Sequence, residues 1–148
     1  MKRIRRILHP SDFSSASGVA FARALELAKS NRAELLVAHV LASPAPILGD
    51  GYVSPQAYQE IEKSIEAQGR KQLDALLRKA RKAGVHARGL LLEGVAHDRI
   101  VRAAKAKRAD LVVMGTHGRG GFARLLLGSV AERVIATARC PVLTVRGR

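Results

Sequence analysis

Glu34-Leu35-Leu36-Val37-Ala38-His39-Val40-Leu41 is apolar at almost every position between its first residue and its last. A strand with one face in water alternates polar and apolar side chains, whereas a strand covered on both faces reads as a continuous apolar run. The stretch therefore predicts an inner strand of a parallel sheet. Before it, Ile4–His9 reads as a strand stopped by Pro10, and Asp12 or Ser14 can cap a helix over Ser15–Ser30, where Val19, Ala22, Leu25 and Ala28 recur at helical spacing. After it, residues 42–55 carry Pro44, Pro46, Gly49, Gly51 and Pro55 and form the one long loop. A helix from about Gln56 to Ala83 follows, with Ile61, Ile65, Leu73, Leu76, Leu77 and Ala80 on one side and Gly84 closing it.

The alternation continues to the end of the chain. Val85–Glu93 reads as a strand, Val95–Arg108 as a basic helix, Asp110–Met114 as a strand, residues up to about Ala138 as helical sequence after a glycine-rich segment, and Pro141–Arg146 as the fifth strand. Right-handed crossovers turn β-α-β-α-β-α-β-α-β into an open, doubly wound, mostly parallel five-stranded sheet with helices on both faces, a Rossmann-like α/β fold. The 148 residues suit one domain, 1–148, and 47% hydrophobic with 26% charged residues is ordinary globular composition. No apolar run reaches the ~20 residues of a membrane helix, and the basic Met1–Arg6 start is followed by too short an apolar stretch for a signal peptide. A single cysteine, Cys140, suits a reducing compartment, so the expected location is cytoplasmic.

Charge is unevenly spread. The net charge is +14, and residues 75–148, with 16 Lys/Arg against 4 Asp/Glu, hold +12 of it. That points to an anionic partner, nucleic acid or a phosphorylated small molecule, or to a generally basic surface. With Phe13, Phe21, Phe122, Tyr52 and Tyr58 as the only aromatics, stacking platforms for single-stranded bases are scarce.

The chemistry is concentrated where the fourth strand ends, at Gly115-Thr116-His117-Gly118-Arg119-Gly120-Gly121, with Gly128-Ser129 following. Glycines let a ligand approach the backbone, free N–H groups at a helix start bind phosphate, and Arg119 adds a positive charge. Ser129 is placed to cap the last helix and donate its hydroxyl to the same anion. The bland alternative is a tight turn and an ordinary cap. A Walker A loop fails because no lysine follows Lys107, and the dinucleotide fingerprint matches literally over Gly118–Ala123 but in the wrong context. His9, His39, His86 and His97 lack companions at ligand spacing, so no metal site is expected, and no nucleophile elbow or catalytic residue stands out.

Gly115-x-x-Gly118, nine residues, then Gly128-Ser129 resembles the nucleotide-binding signature of the universal stress protein family, in its ATP-binding branch. Pro10-Ser11-Asp12-Phe13-Ser14, His39-Val40 before a loose loop, and Cys140-Pro141-Val142-Leu143-Thr144-Val145 are similar to that family's other segments, so the likeness spans the chain. The resemblance implies ATP, with magnesium arriving on the nucleotide. It places Pro10 and Asp12 by the adenosine, the Val40 backbone on the adenine, Met114, Gly115 and Gly118 along the ribose and phosphate turn, and Gly128, Ser129 and Val130 on the phosphates. His117 and Arg119 join this set from their charge and location. It also implies a homodimer through Pro141–Arg146, a further protein partner, and a nucleotide-responsive regulatory role with slow hydrolysis at most. A nucleotide-cleaving enzyme on the same fold and a basic nucleic-acid binder are the alternatives.

Overall fold

The computed structural model describes residues 2–45, 49, 51–117 and 127–147. Along these run β1 (Arg6–Pro10), α1 (Ser15–Asn31), β2 (Glu34–Leu41), α2 (Pro55–Lys82), β3 (Ala87–Glu93), α3 (Ala96–Ala106), β4 (Leu111–Gly115), α4 (Ser129–Thr137) and β5 (Val142–Val145). The sheet order is β3-β2-β1-β4-β5 and all of its pairings are parallel, so the sheet is parallel throughout. The chain winds outward from β1 to β3, then crosses to β4 and winds outward the other way. Strand order therefore reverses between β1 and β4, the place where such sheets bind ligands beyond their carboxyl ends.

The period of two along each inner strand divides the core. Ile7, Leu35, Val37 and Val113 face one side and pack with Phe21, Ala24 and Ala28 of α1 and Leu73, Leu77 and Ala80 of α2. Leu8, Leu36, Ala38, Val112 and Met114 face the other side and pack with Ile100, Ala103 and Ala104 of α3 and Ala131 and Val134 of α4. Both faces of β1, β2 and β4 are thus covered, which is why Leu35–Val40 shows no polar alternation. The edge strand β3 is different: Arg88 and Gly89 are exposed.

Only part of α2 docks. Its buried residues, Gly69, Leu73, Leu77 and Ala80, all lie in its second half at helical spacing. Gly69 lets α2 approach β2 closely: a Cβ there would lie 2.8 Å from Leu41 Cδ2, the end of a side chain that would have to turn aside.

Two expected boundaries move. The last helix begins at Ser129, and residues 118–126, which the sequence also reads as helical and glycine-rich, lie outside the described residues. Ser129 is not the cap of α4. Gly128 is, and no side chain caps that end, because Ser129 already has its place inside the first turn.

Candidate functional site at the carboxyl edge of β1 and β4

The end of β1 is built from short polar side chains. Ser14 is the N-cap of α1, its Oγ accepting the Ser17 N–H at 3.2 Å. Asp12 in turn accepts the Ser14 N–H at 3.0 Å and the Ser14 hydroxyl at 2.5 Å, which fixes its carboxylate at the mouth of the crevice. Ser11 is buried. Its N–H donates to Ala38 O at 2.8 Å, its carbonyl accepts His39 Nδ1 at 2.8 Å, and its hydroxyl accepts the Phe13 N–H and the Ser17 hydroxyl. Between them Phe13 has φ +63°, a left-handed conformation uncommon for a bulky residue, held by its ring packing on His39 with centroids 4.2 Å apart.

The end of β4 is closed from two directions. The Thr116 N–H donates to Val145 O of β5 at 3.0 Å, and the Thr116 carbonyl accepts the Gly128 N–H at 2.5 Å. That bond pins the start of α4 to the exit of β4. A Cβ on Gly128 would lie 2.8 Å from the Thr116 carbonyl oxygen, a backbone atom that cannot swing away, so the approach requires glycine. His117 is partly buried. Its Nδ1 lies 3.0 Å from Thr116 Oγ1, and its buried Nε2 has no partner among the described residues.

The direction of the backbone groups follows from strand periodicity, because alternate residues of a strand turn their N–H and C=O to opposite neighbours. Glu34 N–H bonds to Arg5 and Ala38 O accepts from Ser11, both on the β1 side of β2. Val40, two residues further, therefore turns its backbone groups to the same side, beyond the end of β1, whose pairing with β2 stops at Pro10↔Ala38. On β4, Thr116 faces β5, so Gly115 faces β1. Backbone donors and acceptors from β2 and β4 thus converge on the gap past Pro10. The first-turn N–H groups of α4, including those of Ser129 and Val130, have no intrahelical partners and carry the positive end of the helix dipole.

Of the residues singled out from the sequence, the structure gathers Pro10, Asp12, Val40, Gly115, His117, Gly128, Ser129 and Val130 along this one edge of the sheet. Met114 is placed differently: its side chain is buried against α3 and α4, leaving only its backbone near the edge. Gly118 and Arg119 lie outside the described residues. Sequence reading missed Ser11 and Thr116, the two buried hydroxyl residues that tie the strand ends together. The Ser-x-x-Ser spacing of Ser11 and Ser14, with Asp12 between them, is a side-chain-to-backbone turn pattern that could have found the first.

His9 sits between these ends and is fully buried, with Nδ1 donating to Val113 O at 2.9 Å and its ring tilted on Phe21 at 5.7 Å. Burial drives its pKa down to about 4, against the opposing pull of the Val113 carbonyl and Asp12. It is a neutral cross-brace between β1 and β4. Among the described residues no group of three His, Cys, Asp or Glu could hold a metal ion.

Comparison with known proteins identifies the family and the fold. The universal stress protein family model matches residues 3–146, and the chain belongs to that family. Universal stress protein MJ0531 of Methanocaldococcus jannaschii is 38% identical over 142 residues, covering 96% of this chain and 82% of that protein. The structure of MJ0577 superimposes with a TM-score of 0.88 at 23% identity, covering 99% of both chains, which establishes the fold. A universal stress protein family protein from Arabidopsis thaliana, solved with AMP bound, gives a TM-score of 0.70 at 25% identity over 97% of this chain and 92% of its own. No helix among the described residues is long and apolar enough to cross a membrane.

Proposed function

We propose that the carboxyl edge of β1 and β4 binds an adenine nucleotide and that the chain, acting as one domain over 1–148, is a nucleotide-responsive regulatory module. The observation that carries this reading is the backbone contact at Gly128. It sets a helix N-terminus with no side-chain cap against the exit of β4, so the first-turn N–H donors of α4 stand beside that strand end. The buried Nε2 of His117, without a partner among the described residues, adds a polar group that a ligand would satisfy. The relative with AMP bound supports adenosine and phosphate as the ligand's parts.

In this reading Val40 meets the adenine through its backbone, Pro10 and Asp12 border the adenosine, and Gly115 and the backbone of Met114 line the ribose. Ser129, Val130 and the N–H groups of the first turn hold the phosphates, with Gly118, Arg119 and His117 completing the turn. ATP is the proposed ligand, and magnesium comes with its phosphates. Hydrolysis in this reading is slow at most, with occupancy as the signal. The module works in the cytoplasm as a homodimer and signals to a further protein. β5 is the outer strand of the sheet and exposes Leu143, so a second copy pairing along Pro141–Arg146 would cover an otherwise open edge.

Titration of nucleotide-stripped protein with ATP and magnesium, followed by product analysis after hours, tests the proposal. Saturable binding of one nucleotide per chain with little product supports it. Absence of binding contradicts it, and multiple turnover with an identified product replaces it with the enzyme reading.

A further inference from the structure

The opposite, amino edge of the sheet carries a cleft of about 550 Å³, formed where the segment before β1, the end of α1 and the connection from α2 to β3 meet. Its floor is apolar, from Ala28, Ala33 and Val85, and its walls carry Arg3, Arg5, Lys29 and Arg32, with Glu34 and His86 completing the lining. The charges do not cancel locally. Glu34 is engaged on both oxygens, by Arg88 on one and by Arg6 at 3.4 Å on the other. Arg3, Arg5, Lys29 and Arg32 make no ion pair among the described residues.

One feature opposes an anion here, namely the negative end of the α1 dipole. It amounts to roughly half an elementary charge before screening, and its last carbonyls are occupied, Ala28 O by the Ala33 N–H at 2.8 Å and Lys29 O by the Arg32 N–H at 3.3 Å. Four full cations outweigh it. Arg32 is held in place by its own left-handed backbone at φ +52° and Arg5 by its N–H on Asp110 Oδ2 at 2.9 Å, so the two guanidinium groups are mounted on fixed backbone.

We propose that this cleft is a second ligand site, for a small phosphorylated polyanion bearing at least two phosphate groups. Its volume is that of a small-molecule pocket, within the roughly 300–1,000 Å³ such sites occupy. Guanidinium groups match phosphate oxygens two at a time, which a lone ammonium cannot do. An extended nucleic-acid strand fits less well, because no Phe, Tyr or Trp lines the cleft and His86 is its one ring for bases to stack on. The site lies a full strand length, roughly 17 Å for the five residues of β1, from the nucleotide crevice. It does not depend on that crevice.

The test is calorimetric titration of the full chain with inorganic tripolyphosphate, with AMP at saturation so that the carboxyl edge is occupied. The expected result is saturable binding of one tripolyphosphate per chain, weakened at least tenfold in the Arg5→Gln/Arg32→Gln double variant. All four cationic side chains are at the surface, so the double variant keeps its fold, which thermal unfolding checks. Binding that the double variant leaves unaltered, or no binding at all, overturns the proposal. A single-stranded oligonucleotide titrated in parallel separates the sources of phosphate: if it alone binds and the double variant weakens it, the cleft is a nucleic-acid contact and the small-ligand site is wrong.

Discussion

The two anion sites proposed for the two edges of one sheet are built in opposite ways. At the carboxyl edge the work falls to backbone: Gly128 against Thr116, Gly115 and Val40 turned toward the gap, and short side chains such as Ser11, Asp12 and Ser14 locking the turns. At the amino edge it falls to long cationic side chains standing over an apolar floor. The first kind of site is rigid and shape-specific. It fails when an atom is added. The second is adaptable and charge-specific, and it weakens by steps as charges are removed.

The largest effect expected from breaking this contrast is at Gly128. Gly128→Val puts a branched Cβ into the Thr116 carbonyl, and nucleotide affinity falls about a hundredfold, equivalent to ~3 kcal/mol. Stability falls by about 1–3 kcal/mol, as in other overpacked sites. Calorimetry and denaturant unfolding on the same variant read the two separately, and an unaltered affinity would remove the backbone cradle from the account.

Next is the brace between β1 and β4. His9 refuses a proton in the folded chain down to about pH 4, while the unfolded chain accepts one near 6.5. Between those values the unfolded state binds more protons, so stability is lost as pH falls through that window, by at most about 3 kcal/mol. His9→Asn keeps a donor toward Val113 and removes the titration. Unfolding free energies at pH 7.5, 5.5 and 4.5 should therefore slope less in the variant than in the parent, and parallel slopes would sink the assignment.

A smaller effect belongs to the amino edge. Asp110 receives the N–H groups of Arg5 and Arg6 at 2.9 and 3.0 Å and pairs with Lys2 at 3.6 Å. Burial pushes its carboxyl up, but those donors outweigh burial and hold it below the usual range, so its contribution is present above the unfolded value and lost as acid protonates it. Asp110→Asn should cost about 1–2 kcal/mol and leave nucleotide affinity within twofold. A large loss of nucleotide binding in that variant would show that the two edges are coupled. The smallest effect is at the exposed Asp98–Arg102 pair on α3, where Asp98→Ala should change stability by less than about 0.5 kcal/mol in a thermal melt.

The alternation of elements was legible from the chain because both faces of β1, β2 and β4 are buried, and continuous apolar runs cannot hide. The carboxyl-edge site was legible in part, since Gly115, Gly128 and Asp12 stand at recognisable spacings. The true cap of α4 was not, because Ser129 has every property of an N-cap and only the clash-free approach at Gly128 decides otherwise. Phe13 gave no signal at all. Its positive φ is imposed by Ser11, Asp12 and His39, and no glycine marks it. The amino-edge cleft was misdirected rather than hidden: charge counting pointed to residues 75–148, yet Arg3, Arg5, Lys29 and Arg32 all come from the first 32 residues and meet only when β1 and α1 are side by side.

The measurement that tests the central claim most directly is backbone amide NMR of the nucleotide-stripped chain during titration with AMP. The account predicts progressive shifts at Val40, Gly115, Thr116, Ser129 and Val130 that saturate together, with Arg5, Ala33 and His86 unmoved. Shifts confined to Arg5, Ala33 and His86 would contradict it, placing the nucleotide at the cationic edge and leaving the glycine-lined crevice without its ligand.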